Sequence, residues 1–121
     1  MRIGIDIIDI DRIKDAVDRT PRFLSRVFTK QEIEYCYSKS NPYPSLAVRF
    51  AAKEAVRKLG SGFSSGVRFH DVEVIVHKDG RPDLLLHGIA MESYREQFNT
   101  ISISLSHSKK QAIAAVIVGK G

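Results

Sequence analysis

Two carboxylates stand where the surrounding residues leave little room for charge. In Gly4-Ile5-Asp6-Ile7-Ile8-Asp9-Ile10 an aspartate interrupts an isoleucine-rich strand, a setting in which aspartate is disfavoured. In Arg49-Phe50-Ala51-Ala52-Lys53-Glu54-Ala55 a lysine and a glutamate stand side by side in an alanine-lined helical stretch. Brought together by folding, Asp6 and Glu54 could hold a metal ion. Two carboxylates from separate elements suit magnesium, which takes one or two protein carboxylates and fills its remaining positions with water and substrate phosphate. Each acid taken alone has a plainer reading. Asp6 could end a strand and reach water or a backbone amide, and Glu54 could pair with Arg57 and Lys58 on a solvated surface at the favourable three- and four-residue spacings.

Around the acids lie groups that could contact phosphate. Arg49, Lys53 and Arg57 recur every four residues, and like charges at that spacing repel by ~0.2–0.5 kcal/mol per pair unless an anion binds there. His107 follows Ser106, but adjacent strand residues point to opposite faces, so the two do not form a nucleophile and base. His107 can instead donate to a phosphate from the strand end or simply face water. His70, His77 and His87 have no metal-ligand spacing and read as surface or hydrogen-bonding residues. The glycine-rich stretch Gly60-Ser61-Gly62-Phe63-Ser64-Ser65-Gly66 lacks the trailing Gly-Lys-Ser/Thr of a nucleotide P-loop and the dinucleotide fingerprint, and reads as a flexible connection.

The elements that must position these groups follow from periodicity. Residues 1–8 form a strand with Ile3, Ile5 and Ile7 on one face and Gly4, Asp6 and Ile8 on the other. Asp9 or Asp11 can cap a helix running to about Asp18 with the stripe Ile10, Ile13, Val17. Thr20-Pro21 restarts a short helical turn. Thr29-x-x-Glu32 is a capping box opening a helix through about Ser38. Asn41-Pro42-Tyr43-Pro44 breaks the chain before a long helix over residues 45–59, which stops before Gly60. Ala47, Ala51 and Ala55 give that helix a thin face for close packing, widened by Val48, Ala52, Val56 and Leu59. A hairpin of residues 72–76 and 82–86 turns at Asp79-Gly80, a helix covers residues 88–98, and strands run from Thr100 to Ser106 and from Ala112 to Val118. The order of elements predicts one α+β domain over residues 1–121, a mainly antiparallel sheet packed against one long and several short helices.

Composition bounds the rest. At 121 residues and 43% hydrophobic content the chain has the length and apolar content of one core. Cys36 is the single cysteine, so no intrachain disulfide or paired-thiol zinc site can form. No stretch approaches the ~18 apolar residues of a membrane span, and the expectation is a soluble cytoplasmic protein with no membrane partner. A formal charge of +5 favours an acidic protein, a phosphorylated ligand or nucleic acid without choosing among them.

Taken in order, three blocks resemble the holo-acyl-carrier-protein synthases, bacterial 4′-phosphopantetheinyl transferases: the Gly4 to Ile10 block, the Arg49 to Ala55 block, and Ser104-Leu105-Ser106-His107-Ser108. Phe28-Thr29-Lys30-Gln31-Glu32 and Asp79-Gly80-Arg81-Pro82 fit the family's connecting segments, so the likeness spans nearly the whole chain. Asp9 stands where many relatives have glutamate. The resemblance implies transfer of phosphopantetheine from coenzyme A to a serine hydroxyl of apo acyl carrier protein, with release of adenosine 3′,5′-bisphosphate. It implies Asp6 and Glu54 as magnesium ligands, Lys53 stabilising the leaving phosphate, Arg49 and His107 as further phosphate contacts, and Arg12, Arg19 and Arg22 on a basic helix that docks the acidic carrier protein.

A small basic RNA-binding module explains the charge but not a carboxylate interrupting each of two apolar elements, so no nucleic-acid partner is expected. A purely structural oligomer subunit explains neither the basic stripe nor the acids. In Ala112-Ile113-Ala114-Ala115-Val116-Ile117-Val118 both alternating faces are apolar, so one face needs a cover beyond the chain's own few helices. That pattern, together with the resemblance, predicts a homotrimer with active sites between subunits.

Overall fold

The isoleucine strand forms as its alternation predicts. The computed structural model describes all 121 residues, Met1 to Gly121. Strand β1 spans Arg2–Asp9 and passes directly into helix α1, Ile10–Arg19. Helices α2 (Phe23–Val27), α3 (Lys30–Tyr37) and α4 (Tyr43–Arg57) follow, then the hairpin β2 (Val72–Val76) and β3 (Pro82–Leu86), helix α5 (Gly88–Gln97), and strands β4 (Thr100–His107) and β5 (Gln111–Gly119). The strands make two antiparallel sheets, one in the order β1-β5-β4 and one of β2 with β3.

Gly4, Asp6 and Ile8 of β1 share one face of the larger sheet with Ala112, Ala114 and Val116 of β5 and Leu105 of β4. Helix α4 lies across this face. Its alanines 47, 51, 52 and 55 are fully buried, as a thin packing face requires. The approach is so close that a methyl group on Gly4 would stand 1.9 Å from the Ala55 carbonyl oxygen. One core cluster joins α4 to β5, the hairpin, Phe63 and Phe98, and a second joins it to α1, Val27, Phe28 and Cys36.

Several local expectations shift. The capping box at Thr29 and Glu32 is complete, with both reciprocal bonds made. Thr20 does not cap a helix: Arg22 takes a left-handed conformation (φ 67°), and α2 begins only after it. Helix α4 starts at Tyr43 because Pro44 is tolerated in a first turn, where its missing N–H is no loss. Gly60 ends the region with φ 146° and ψ 172°, a glycine-favouring extended conformation, not the left-handed helical one. The following loop is anchored instead of free, because Phe63 is fully buried and Ser93 donates to the Gly62 carbonyl at 2.6 Å.

Candidate active site

Asp6 sits where β1 passes under the C-terminal end of α4. Lys58, the residue immediately after α4, donates from Nζ to Asp6 Oδ1 at 3.1 Å and to the Ile5 carbonyl at 2.8 Å. Glu54 lies one helical turn before Lys58, hence on the same stripe of α4. It is half-buried, and neither Arg57 nor Lys58 pairs with it: Lys58 goes to Asp6, and Arg57 donates to the Val67 carbonyl at 3.4 Å and stacks on Phe69. The surface-pair reading of Glu54 therefore fails. Folding does bring the strand carboxylate and the Glu54 stripe to one side of α4.

A cleft of about 270 Å³ opens at this point, lined by Ile5, Asp6, Ile7, Lys58 and Ile113. Ile7 and Ile113 also wall a second cleft of about 280 Å³ with Ser106, His107, Ser108 and Gln111. His107 is exposed at the turn between β4 and β5, in the cross-strand row of Ala112 and Ile8, two residues along β1 from that of Asp6. Its Nδ1 lies 3.1 Å from the Ser108 carbonyl oxygen, which can only accept, so Nδ1 carries the proton and Nε2 is left for another group. Asp9 does not cap α1 through its side chain; it accepts from Gln111 Nε2 at 3.1 Å and ties β1 to the same turn.

Arg49 and Lys53 take other positions. Arg49 is roughly 140° around the helix from Glu54. It is 4% exposed, stacked 4.5 Å above the Tyr35 ring, and donates to the Ser45 carbonyl. Its Nε is buried without a partner. Lys53 is 1% exposed, and Nζ donates to Glu32 Oε1 at 2.8 Å, to the Phe69 carbonyl at 3.1 Å and to the Val72 carbonyl. All three ammonium donors are used. Burial holds this ammonium below the ordinary lysine value, with Glu32 opposing. Lys53 as a contact to the leaving phosphate is thus corrected: it points into the protein, and the ammonium beside the carboxylate is Lys58. The proposed basic stripe of Arg49, Lys53 and Arg57 likewise dissolves into separately satisfied or stacked groups. Sequence reasoning gives Lys58 only as a surface partner of Glu54, although the same four-residue offset is the signal that places it on the face of Asp6.

Arg12, Arg19 and Arg22 are all exposed. Arg12 and Arg19, seven residues apart, share a stripe of α1, and beside it runs a second stripe of Asp11, Asp15 and Asp18. The helix is therefore not net basic. Arg19 and Arg22 border a cleft of about 320 Å³ whose apolar wall is Val17, Phe23, Leu24 and Ile33.

The sequence profile of the 4′-phosphopantetheinyl transferase superfamily matches residues 2–117. A protein of Carboxydothermus hydrogenoformans named holo-[acyl-carrier-protein] synthase is 48% identical over 118 residues, 95% of this chain and 94% of the relative. The crystal structure of the holo-[acyl-carrier-protein] synthase of Neisseria meningitidis superposes with a TM-score of 0.85 at 28% identity, covering 98% of each chain. That of the Bacillus anthracis synthase, in complex with coenzyme A (3′,5′-ADP), superposes at 0.81 with 32% identity, covering 99% of this chain and 96% of the other.

Proposed function

This chain belongs to the 4′-phosphopantetheinyl transferase superfamily, and from that premise we propose that it transfers the 4′-phosphopantetheine group of coenzyme A to a serine hydroxyl of apo acyl carrier protein. The serine oxygen forms a new bond to phosphorus, the bond to the bridging pyrophosphate oxygen breaks, and adenosine 3′,5′-bisphosphate leaves. The observation that carries the reading is the pairing of Asp6 with Lys58, one helical turn from Glu54, at a cleft that shares the walls Ile7 and Ile113 with the cleft of His107.

The acid pair fits a magnesium ion. Its donors are hard carboxylate oxygens, Glu54 has no partner within the chain, and no third histidine, cysteine or carboxylate joins them. That is the ligand set of an ion that keeps positions for water and substrate phosphate. When bound, it neutralises charge on the phosphorus under attack. Lys58 uses two of its three donors within the protein, so one N–H remains for a phosphate oxygen. Nε2 of His107 is available for a second phosphate contact.

The acidic carrier protein approaches the stripe of Arg12 and Arg19 and the turn at Arg22, its apolar contacts falling in the cleft that Arg19 and Arg22 border. The working form is a homotrimer. Ile3, Ile5 and Ile7 on the sheet's outer face are 61, 53 and 58% exposed, and Ile117 beside them is 40% exposed. This is the face that a second copy covers. Arg49, turned away from Glu54 on its own chain, reaches phosphate only if another subunit supplies the carboxylates. Incubation with apo carrier protein, coenzyme A and magnesium, followed by mass spectrometry of the carrier, tests the activity: the phosphopantetheine adduct is expected, and its absence rejects the reading.

A further inference from the structure

The buried Lys53 raises a question that its neighbours answer. Its ammonium joins three separate elements: Glu32 of α3, the Phe69 carbonyl in the turn before β2, and the Val72 carbonyl at the start of β2. Glu32 is equally committed, accepting from the Thr29 amide at 2.9 Å through Oε1 and from the Val74 amide at 3.0 Å through Oε2. On the opposite side α4 meets the sheet through alanines and Gly4, and its Leu46, Val48 and Val56 are buried in the two core clusters, so apolar packing seats the helix on the sheet while Lys53 ties it to α3 and β2. A carboxylate on the rim of a helix lies roughly 6 Å from the axis, so a turn of about 10° moves it by about 1 Å. Displacements of that size can cost ~10²-fold in rate.

We infer that Lys53, paired with Glu32, is a positioning residue: this buried clamp adds three directional hydrogen bonds to the apolar seat of α4, sets its final rotation and so aims the adjacent Glu54 at the cleft of Asp6. The inference rests on the assignment of Glu54 as a magnesium ligand. Buried ion pairs contribute little net stability compared with apolar replacements of similar size, whereas setting register is their best-attested use.

The test is Glu32→Gln with Lys53→Met, which removes both charges together and leaves neither stranded, beside Lys53→Met alone. Melting curves, coenzyme A affinity by calorimetry, kcat, and manganese affinity by electron spin resonance as a stand-in for magnesium are measured on each. The double variant is expected to melt cooperatively and to bind coenzyme A within about twofold of wild type. Its kcat should fall ~10²-fold and its manganese affinity about tenfold, in the range for residues that orient metal ligands. Wild-type kcat and manganese affinity in the double variant would overturn the inference. So would loss of its cooperative melt, which makes the pair a stability element, or a tenfold loss of coenzyme A affinity, which makes Lys53 a substrate contact. Glu54→Ala is the control: unchanged manganese binding in that variant rejects the metal site itself, whatever Lys53 does.

Discussion

Asp6 and Glu54 are held differently, and the difference sets what their removal should do. Asp6 carries an ion pair with Lys58, whereas Glu54 has no partner that its loss would strand. Asp6→Ala and Glu54→Ala should each abolish magnesium-dependent transfer with melting temperatures close to wild type, since one carboxylate cannot hold the ion that two hold. Glu54→Gln should fail as well. Full activity in either alanine variant at ordinary magnesium would remove the metal site from the mechanism. Cys36 offers a prediction of another kind. Complete burial pushes its thiol up to about 11 from 9.0, Arg49 opposing and Glu32 assisting. Between those values the unfolded chain has released a proton that the folded chain keeps, so stability falls as pH rises from 9 to 11, by at most about 1.4 kcal/mol per pH unit. Lys53, lowered by burial, acts in the opposite direction, so the measurement is the difference between wild type and Cys36→Ala in denaturant melts across that range. A pH-independent difference would show that the thiol ionises as freely folded as unfolded. The two acids were legible in the sequence because a charge inside an apolar run is anomalous within a few residues. That Lys58 and not Lys53 stands beside Asp6 was not, because this depends on how α4 is seated against β1, α3 and β2, far away in sequence.

Among the elements, β1 and α4 carry the site, and Gly4 is the point where they touch. Gly4→Ala would place a methyl group 1.9 Å from the Ala55 carbonyl oxygen, a backbone collision that no side-chain adjustment relieves. Overpacking of this kind costs typically ~1–3 kcal/mol and occasionally more, and separating strand from helix also parts Asp6 from Lys58. Both melting temperature and activity should drop, and a variant as stable and active as wild type would mean that the contact is looser than the structure has it. Helix α1 makes a separate prediction. Its three basic and three acidic residues cancel, so attraction of an acidic carrier depends on their segregation into stripes and on Arg22 beyond the helix. Arg12→Glu and Arg22→Glu should weaken carrier binding and flatten its salt dependence while leaving coenzyme A affinity nearly unchanged. Wild-type carrier binding at low salt would exclude this surface from docking. The capping box of α3 was readable because both of its bonds lie within four residues. The start of α2 was not, since it hangs on a left-handed arginine that no local rule anticipates. Nor was the ordering of the glycine-rich loop, which depends on Phe63 meeting Phe98 from across the chain.

The whole molecule exposes what a single chain leaves unfinished. The sequence showed that both faces of the last strand are apolar but not which one the chain covers; α4 takes the face of Ala112, Ala114, Val116 and Val118, all fully buried. On the other face Ile113, Ala115 and Ile117 lie in register with Ile7, Ile5 and Ile3 of β1, while β4 sets Ser106, Ser104 and Ser102 against them. Two strands of this face are apolar and the third is a ladder of hydroxyls. A second copy lying over β1 and β5 would bury the isoleucines and keep the serines near its edge. Permanent interfaces usually bury at least ~1,600 Å² and are largely apolar, so monomers should be scarce at assay concentrations. Light scattering should give a mass near three times 13.6 kDa. Ile3→Glu, which puts charges into the face that a second copy would cover but away from the cleft of Asp6, should yield monomers that remain folded because Ile3 touches no core of its own chain. On the proposed shared site those monomers should also lose transfer activity, because Arg49 and Glu54 of one chain face apart and each would lack the other subunit's half. Mixing inactive Glu54→Ala with inactive Arg49→Ala chains distinguishes a shared site from simple loss of stability: mixed trimers should regain part of the activity. A stable monomer that still transfers phosphopantetheine would refute both the trimer and the shared site.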